Sequence, residues 1–166
     1  EIDLNLRRFI KNLGSVAGGG ALLATVPWLQ AFTPEKLAEI KKEKARLAII
    51  GTGSRGQYHI HNLLRIKNAE IVALCYDYAP NLQEAVKLCP NAKTYTDYRK
   101  VLESAEVDGV VISTPLNWHA PIVLDALSAG KHTFCEKSMA LTMAECKAIY
   151  DAYLKTDKVL YFGMQR

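Results

Sequence analysis

From residue 46 to the end of the chain, short and mainly apolar runs alternate with longer segments in which apolar residues recur every three or four positions. Runs of this length that are apolar throughout are typical of strands buried on both faces of a sheet. The longer segments have the period of amphipathic helices. The pattern predicts six strands, at residues 47–50, 70–75, 93–96, 107–113, 132–135 and 159–162.

Residues that start and stop helices lie between these strands. Asp97 precedes one helical segment, and Thr142 and Glu145 have the spacing of a capping box before another. Gly130 follows a third segment, at a position where helices commonly end. Helices are predicted at residues 57–66, 81–88, 98–104, 119–129 and 143–154. Strands that alternate with helices predict an α/β fold with a doubly wound parallel sheet over residues 46–166.

The beginning of the chain has a different composition. Residues 12–34 carry no charge, and Arg7, Arg8 and Lys11 precede them. A basic segment followed by a moderately apolar run of small residues is typical of an export signal. We interpret residues 1–33 as such a signal, which predicts an exported, for example periplasmic, protein that contacts the export machinery. The alternative is a buried or interfacial N-terminal helix in a cytoplasmic protein.

The basic segment Arg7-Arg8-Phe9-Ile10-Lys11 resembles a twin-arginine signal. That signal has two arginines, any residue, then Phe, Leu and Lys. Here one residue is missing between the second arginine and Phe9, so the match is incomplete. The segment nevertheless favours the twin-arginine route, which carries folded proteins.

A linker helix is predicted between the signal and the first strand. Thr33 is of the type that caps a helix, Pro34 suits the first helical position, and Glu35 places an acid in the first turn. The predicted helix covers residues 34–45.

Length, charge and cysteine content narrow the classes of function. A chain of 166 residues has room for one ordinary domain and a tail. Its net charge of +4 comes from scattered lysines and arginines, whereas a nucleic-acid surface needs clustered charge, so no nucleic-acid partner is predicted. The four cysteines form no Cys-x-x-Cys pair and have no histidine at metal-ligand spacing, so no metal site is predicted.

A glycine motif, Gly51-Thr52-Gly53-Ser54-Arg55-Gly56, joins the first predicted strand to the first helix. In this context Gly51 permits a tight turn, Gly53 lets the backbone approach a pyrophosphate, and Gly56 lets the helix pack on the strand. The pyrophosphate would meet the helix N-terminus. Ser54 and Arg55 are further candidate contacts, although the Arg55 side chain could equally remain in solvent. The alternative is a glycine-rich turn in a fold that binds no nucleotide.

An acidic residue at the end of the second strand would bind the ribose hydroxyls of a dinucleotide. Asp77, 21 residues after Gly56, is the candidate, although Tyr76 occupies the place directly after Cys75. The alternative is that Asp77 belongs to a surface turn. No Arg or Lys between positions 76 and 82 is available for a 2′-phosphate, which favours NAD over NADP.

Four later segments resemble the Gfo/Idh/MocA family of glucose–fructose oxidoreductases and inositol dehydrogenases. The resemblance covers residues 46–166 and implies a Rossmann-type dinucleotide-binding domain. The segments agree with the family in order and spacing. They are Tyr95-Thr96-Asp97-Tyr98, Ser113-Thr114-Pro115-Leu116-Asn117-Trp118-His119, Gly130-Lys131-His132-Thr133-Phe134-Cys135-Glu136-Lys137-Ser138 and Phe162-Gly163-Met164-Gln165-Arg166.

The resemblance assigns a cofactor loop and an acid. Thr114, Pro115 and His119 match the loop that lies over the cofactor in the family. Glu136 matches the family's glutamate near the nicotinamide ribose. His119 could alternatively serve as a polar helix cap. His59 and the remaining histidines have no partner that the sequence identifies, and we interpret them as surface or packing residues.

The resemblance also assigns a catalytic lysine. Lys137 matches the lysine that points at the substrate hydroxyl, and a partly buried lysine beside a cationic ring would have a pKa suited to proton transfer. The alternative is a strand-end salt bridge to Glu136 or another acid. Ser138 stands where the family has a proline, a residue that often fixes a cis bond.

In the family a C-terminal α+β substrate domain follows the sixth strand and supplies most of the substrate pocket and oligomer contacts. This sequence ends at Arg166, where that domain is expected to begin. We therefore expect this chain to bind a dinucleotide without completing the active site, and the full-length form to be a homo-oligomer.

Three functions remain open at this point. The first is an NAD-dependent oxidoreductase that transfers hydride to or from a sugar or polyol hydroxyl. The second is an NAD-dependent glycoside hydrolase, which oxidises a sugar transiently, eliminates the aglycone, adds water and reduces the sugar again. The third is a non-enzymatic protein that binds a dinucleotide.

Overall fold

A computed structural model describes residues 44–164 of the protein. The predicted export signal and nearly all of the predicted linker helix lie outside the described residues. The strands are β1 (Ala45–Ile50), β2 (Ala69–Cys75), β3 (Lys93–Tyr95), β4 (Gly109–Ile112), β5 (His132–Glu136) and β6 (Leu160–Gly163). The helices are α1 (Ser54–Leu63), α2 (Ala79–Leu88), α3 (Tyr98–Leu102), α4 (His119–Ser128) and α5 (Met143–Tyr153), with a 3₁₀ turn at Leu116–Trp118.

The six strands form one parallel sheet in the order β3-β2-β1-β4-β5-β6. The order reverses between β1 and β4, because the chain first builds outward from β1 on one side and then returns to build outward on the other. The predicted doubly wound parallel sheet is therefore confirmed. In such a sheet, ligands bind at the carboxyl ends of the strands where the order reverses.

Helices cover both faces of the sheet, and the strand residues alternate between two cores. Ala48 and Ile50 of β1 pack in the core beneath α3, α4 and α5, whereas Ile49 packs in the core beneath α1 and α2. All four residues of β4 are buried. Burial on both faces explains why these strands appear in the sequence as continuous apolar runs. None of the helices in residues 44–164 has the length and apolar character needed to cross a membrane.

The predicted helix signals are present in the structure. The Asp97 side chain accepts a hydrogen bond from the backbone N–H of Arg99, so Asp97 caps α3. Thr142 and Glu145 form a complete capping box at α5. Gly130, which follows α4, has a φ of 68°. Local hydrogen-bonding chemistry thus determines where these helices begin and end.

Several predicted boundaries were wrong. Ala45 pairs with Ala69 as the first residue of β1, so the linker helix cannot extend to residue 45 and the domain begins before residue 46. The first helix begins at Ser54, directly after Gly53, rather than at residue 57. The fourth strand is confined to Gly109–Ile112. These element ends are determined by strand pairing and by the glycine turn, and neither is visible in the hydrophobic periodicity of the sequence.

An ion pair joins the beginning of β1 to the segment before β4. Arg46 donates from Nε, Nη2 and its backbone N–H to the Asp108 carboxylate, at 3.0, 2.6 and 2.9 Å. These hydrogen bonds hold the pKa of Asp108 below its usual value, although partial burial opposes them. A carboxylate with a lowered pKa stabilises the fold above its unfolded pKa of about 3.9, and this contribution is lost as the pH falls through the folded value.

We expect Asp108→Asn to lower the free energy of unfolding by about 1 kcal/mol at pH 7, because the pair is partly exposed and screened by solvent. The difference from the unmodified chain should shrink at pH 3, and thermal unfolding at both pH values measures it. Asp151→Asn, which removes an exposed helical partner of Lys147, is the matched control. Its expected effect is below about 0.5 kcal/mol. If Asp108→Asn and Asp151→Asn lowered the free energy of unfolding equally at pH 7, the stabilising role of the Arg46–Asp108 pair would be contradicted.

Candidate cofactor site

The glycine motif forms the turn between β1 and α1, at the carboxyl edge of the sheet where the strand order reverses. Gly51 has a φ of 93°, and a Cβ there would lie 2.6 Å from the carbonyl oxygen of Ser113. A Cβ on Gly56 would overlap the carbonyl oxygen of Gly51. Contacts within the domain therefore explain two of the three glycines.

Gly53 is different, because the domain leaves room for a Cβ at this position. Its φ of −64° is one that any residue adopts. The atoms nearest to a Cβ would be the Asn81 side-chain nitrogen at 3.8 Å and the Tyr76 hydroxyl at 3.9 Å. The free space fits a group that approaches the backbone from outside, as the pyrophosphate of a dinucleotide does in this motif.

The N-terminus of α1 beside Gly53 suits an anion. The helix has no side-chain cap and no acidic residue in its first turn. The positive end of the helix dipole and the backbone N–H groups of the first turn therefore face this space without competition from a carboxylate of α1. Ser54 is exposed at the first position of the helix.

A cavity of about 440 Å³ adjoins the loop at the ends of β1, β2 and β3. Asp77 lines this cavity and is exposed, and Tyr76 lies beside it. The cavity also includes Arg99, whose guanidinium stacks 4.8 Å from the ring centre of Tyr98. Arg99 was not among the predicted site residues, because it lies on α3, outside residues 76–82, where a cation for a 2′-phosphate was expected.

The loop after β4 forms the opposite wall. Thr114 and Pro115 line the cavity together with Trp118. The side-chain oxygen of Thr114 is buried and has no hydrogen-bond partner among residues 44–164, and the same holds for Thr52 in the glycine motif. A buried polar atom without a partner is a candidate ligand contact.

His119 lies inside the domain and is only 1% exposed. Its Nδ1 is 2.7 Å from the carbonyl oxygen of Ser138, and its Nε2 is 3.0 Å from the carbonyl oxygen of Thr114. The side chain does not cap α4. His119 therefore joins the loop after β4 to the segment after β5, and any influence on a cofactor passes through these two segments.

Glu136, the last residue of β5, is buried with its side chain 7% exposed. Arg55 Nε and His59 Nε2 both donate to its Oε1, at 2.6 and 2.7 Å. Burial by itself would raise the pKa of Glu136, but these hydrogen bonds hold it below its usual value. His59, which we interpreted as a surface or packing residue, packs against Phe134 and also has a polar partner in Glu136. Arg55 pairs with the same carboxylate, with its side chain 37% exposed.

One signal in the sequence points to this pairing. Arg55 and His59 are four residues apart on α1, so their side chains lie on the same face of the helix. The sequence does not reveal that this face meets the end of β5.

Lys137 follows Glu136 and is exposed. The expected partial burial of its side chain is absent among residues 44–164. The alternative salt bridge to Glu136 does not form, since only the backbone N–H of Lys137 contacts that carboxylate, at 3.3 Å. The peptide bond between Lys137 and Ser138 is cis. Because the Lys137 side chain is exposed and has no hydrogen bond or ion pair within residues 44–164, it is free to meet a ligand.

Within residues 44–164, no group of three or more His, Cys, Asp or Glu side chains could hold a metal ion. The partners that the site offers are instead backbone N–H groups, hydroxyls, two carboxylates and a lysine. They line the carboxyl edge from the end of β2 to the end of β5, which is the arrangement expected for an extended dinucleotide.

The comparisons with known proteins agree with this geometry. A family model described as an oxidoreductase family with an NAD-binding Rossmann fold, Gfo/Idh/MocA, matches residues 45–164. The chain is 32% identical to a glycosyl hydrolase family 109 protein of Shewanella pealeana, over 95% of this chain and 38% of that protein. It is 31% identical to an alpha-N-acetylgalactosaminidase of Shewanella oneidensis, over 94% of this chain and 38% of that protein.

Among solved structures, the chain resembles myo-inositol dehydrogenase from Lactobacillus casei in complex with NAD(H) and myo-inositol. The TM-score is 0.69 at 32% identity, over 72% of this chain and 36% of that one. The chain thus spans about 38% of the length of the curated relatives it matches. The predicted family is confirmed: the chain belongs to the Gfo/Idh/MocA oxidoreductases, and residues 45–164 form an NAD-binding Rossmann domain.

Proposed function

We propose that this chain is the cofactor-binding part of an enzyme that transfers hydride between NAD and a sugar or polyol hydroxyl. The free space beside Gly53, above the N-terminus of α1, carries the proposal. The dehydrogenase from Lactobacillus casei, which holds NAD(H) and myo-inositol, supports both the cofactor and the class of substrate.

In this proposal the residues have separate tasks. Gly51, Gly53 and Gly56 form the pyrophosphate cradle, with Ser54 at its helix end, and Asp77 binds the adenosine ribose. Thr114 and Pro115 contact the cofactor from the other wall. When bound, NAD supplies the acceptor for the hydride. Lys137 takes the proton from the substrate hydroxyl as its carbon loses hydride: the cationic nicotinamide ring and the substrate domain that covers the site would keep its amine uncharged and able to accept the proton.

A specific observation favours a second candidate function. The relatives from Shewanella are glycosyl hydrolase family 109 proteins and an alpha-N-acetylgalactosaminidase. In a hydrolase, the same hydride transfer would be transient and would return the cofactor to its starting state. In the protein that also carries the substrate domain, net NADH accumulation with a polyol indicates a dehydrogenase. Release of nitrophenol from a nitrophenyl glycoside without net NADH indicates the hydrolase.

We also propose that residues 1–33 direct export and that the domain folds before it is translocated. The basic segment at Arg7, Arg8 and Lys11 supports this proposal. Fusing residues 1–33 to a reporter protein that folds in the cytoplasm but gives its signal only after export tests it. A reporter that stays inactive, while a known signal fused to the same reporter gives activity, would contradict it.

A thermal-shift titration of the 166-residue chain tests the cofactor. We expect NAD and NADH to raise the melting temperature in a dose-dependent way, because they bind only the folded state. NADP and NADPH should have a smaller effect, because Asp77 would repel a 2′-phosphate. A larger shift with NADP(H) would indicate that Arg99 binds a 2′-phosphate and that Asp77 does not bind the adenosine ribose. No shift with any of the four, in a folded protein, would contradict the proposed function.

A further inference from the structure

The carboxylate of Glu136 is held unevenly. Its Oε1 accepts two side-chain hydrogen bonds from α1, at 2.6 Å from Arg55 and 2.7 Å from His59. Among residues 44–164, its Oε2 has only the long contact from the backbone N–H of Lys137, at 3.3 Å. A carboxylate oxygen can accept two hydrogen bonds, so Oε1 is saturated whereas Oε2 retains capacity for a further donor.

Neutralising the buried charge of Glu136 does not require two donors on the same oxygen. Arg55 alone supplies a full positive charge and a short hydrogen bond, which meets the need of a buried carboxylate for a partner. His59 adds a second donor to the same oxygen instead of serving the other one. Two donors from one rigid helix restrict rotation of the carboxylate, so they determine the direction that Oε2 faces.

Both donors are themselves supported by aromatic rings. The His59 ring packs edge-on against Phe134 of β5, with ring centres 5.2 Å apart, and its side chain is 14% exposed. The Arg55 guanidinium lies 4.7 Å from the ring centre of Tyr58. His59 is thus packed between α1 and β5, whereas Arg55 lies nearer the surface, with its side chain 37% exposed.

The position of Glu136 indicates which part of a dinucleotide it would meet. The cavity beside β2 and β3 suits the adenosine half, and the glycine motif after β1 suits the diphosphate. A cofactor that continues in this direction passes β4 and reaches the end of β5. Glu136 is therefore on the side of the nicotinamide and its ribose.

We propose that Arg55 and His59 are positioning residues that fix Glu136 through Oε1, so that Oε2 is presented to the nicotinamide half of the cofactor. This inference rests on the proposed function. Since Arg55 belongs to the glycine motif, the same contacts link the diphosphate cradle to the Glu136–Lys137 segment. Neither positioning residue needs to touch the reacting atoms.

The test compares NAD with ADP, which lacks the nicotinamide riboside, by calorimetric titration of the 166-residue chain. His59→Ala should weaken NAD binding about tenfold and change ADP binding less than twofold. His59→Gln, whose amide can still donate to Oε1, should retain NAD affinity within about threefold. His59→Asn has a similar polarity but a shorter reach, and should behave like alanine. His61→Ala, an exposed histidine on the same helix, is the matched control.

A double substitution shows whether His59 acts through Glu136. In a Glu136→Gln background, His59→Ala should cause no further loss of NAD affinity, because the positioned group has already been changed. Equal weakening of NAD and ADP, or a full effect of His59→Ala in that background, would overturn the inference. If His59→Ala prevents folding, the NAD affinities of His59→Gln and His59→Asn are compared instead, and equal affinities would overturn the inference. Failure of the unmodified chain to bind either nucleotide would instead contradict the proposed function itself.

Discussion

Replacement of Gly53 by serine is expected to weaken dinucleotide binding and to leave the domain folded. The nearest atoms to a Cβ at this position are 3.8 Å away, so the domain accommodates the new side chain. Serine is also a favoured residue at the position that caps a helix, which Gly53 occupies. The added atoms would fill the space through which the pyrophosphate reaches the backbone. We expect the dissociation constant for NAD to rise at least about tenfold, or about 1.4 kcal/mol.

Gly56→Ala is the matched comparison within the same motif. Its Cβ would overlap the carbonyl oxygen of Gly51, so the helix must move away from the turn. We expect a loss of about 3 kcal/mol in the free energy of unfolding, visible as a melting temperature lower by about 10 °C. Calorimetry with NAD and thermal unfolding of both variants separate the two effects. A Gly53→Ser variant that is stable and binds NAD as tightly as the unmodified chain would refute the assigned cradle.

The second large effect concerns Lys137. In the protein that also carries the substrate domain, we expect Lys137→Ala to lower kcat for polyol oxidation by about 10² to 10⁴, the usual contribution of a positioned acid–base group. The exposed side chain makes no hydrogen bond or ion pair with the rest of residues 44–164, so its removal should leave the melting temperature within about 1 °C.

Two controls distinguish a chemical role from a general effect of charge. Lys147→Ala removes an exposed lysine from α5 and should leave kcat unchanged. The affinity of Lys137→Ala for NAD, measured by calorimetry, should stay within about threefold of the unmodified value, because the lysine is assigned to the substrate. If kcat of Lys137→Ala stays within a factor of about three, another group must take the proton.

The order of the elements could be predicted from the sequence because it depends on local physics. Continuous apolar runs indicate strands buried on both faces, as β4 is. Asp97 and the Thr142–Glu145 box act on backbone groups within a few residues, so their roles are visible in the sequence. The glycine motif is also local, and it indicated both the turn after β1 and the helix that follows.

The precise ends of elements depend on partners that are distant in sequence. Ala45 belongs to β1 because it pairs with Ala69, and no periodicity in the linker reports that pairing. The start of α1 follows from the turn at Gly51, whose carbonyl lies where a Cβ of Gly56 would be. Boundaries were therefore the least accurate part of the predicted fold.

The sequence by itself determined the parallel α/β architecture, the family and the candidate residues, since these follow from short-range patterns. Only the tertiary structure decided which of those residues meet. Glu136 receives its hydrogen bonds from residues 81 and 77 positions earlier, and Arg99 enters the cavity of Asp77 from another helix. Likewise, only packing places His119 between two loop carbonyls. Such contacts depend on how α1 and the neighbouring loops are set against the ends of the strands, because side chains distant in sequence meet only when the sheet has assembled.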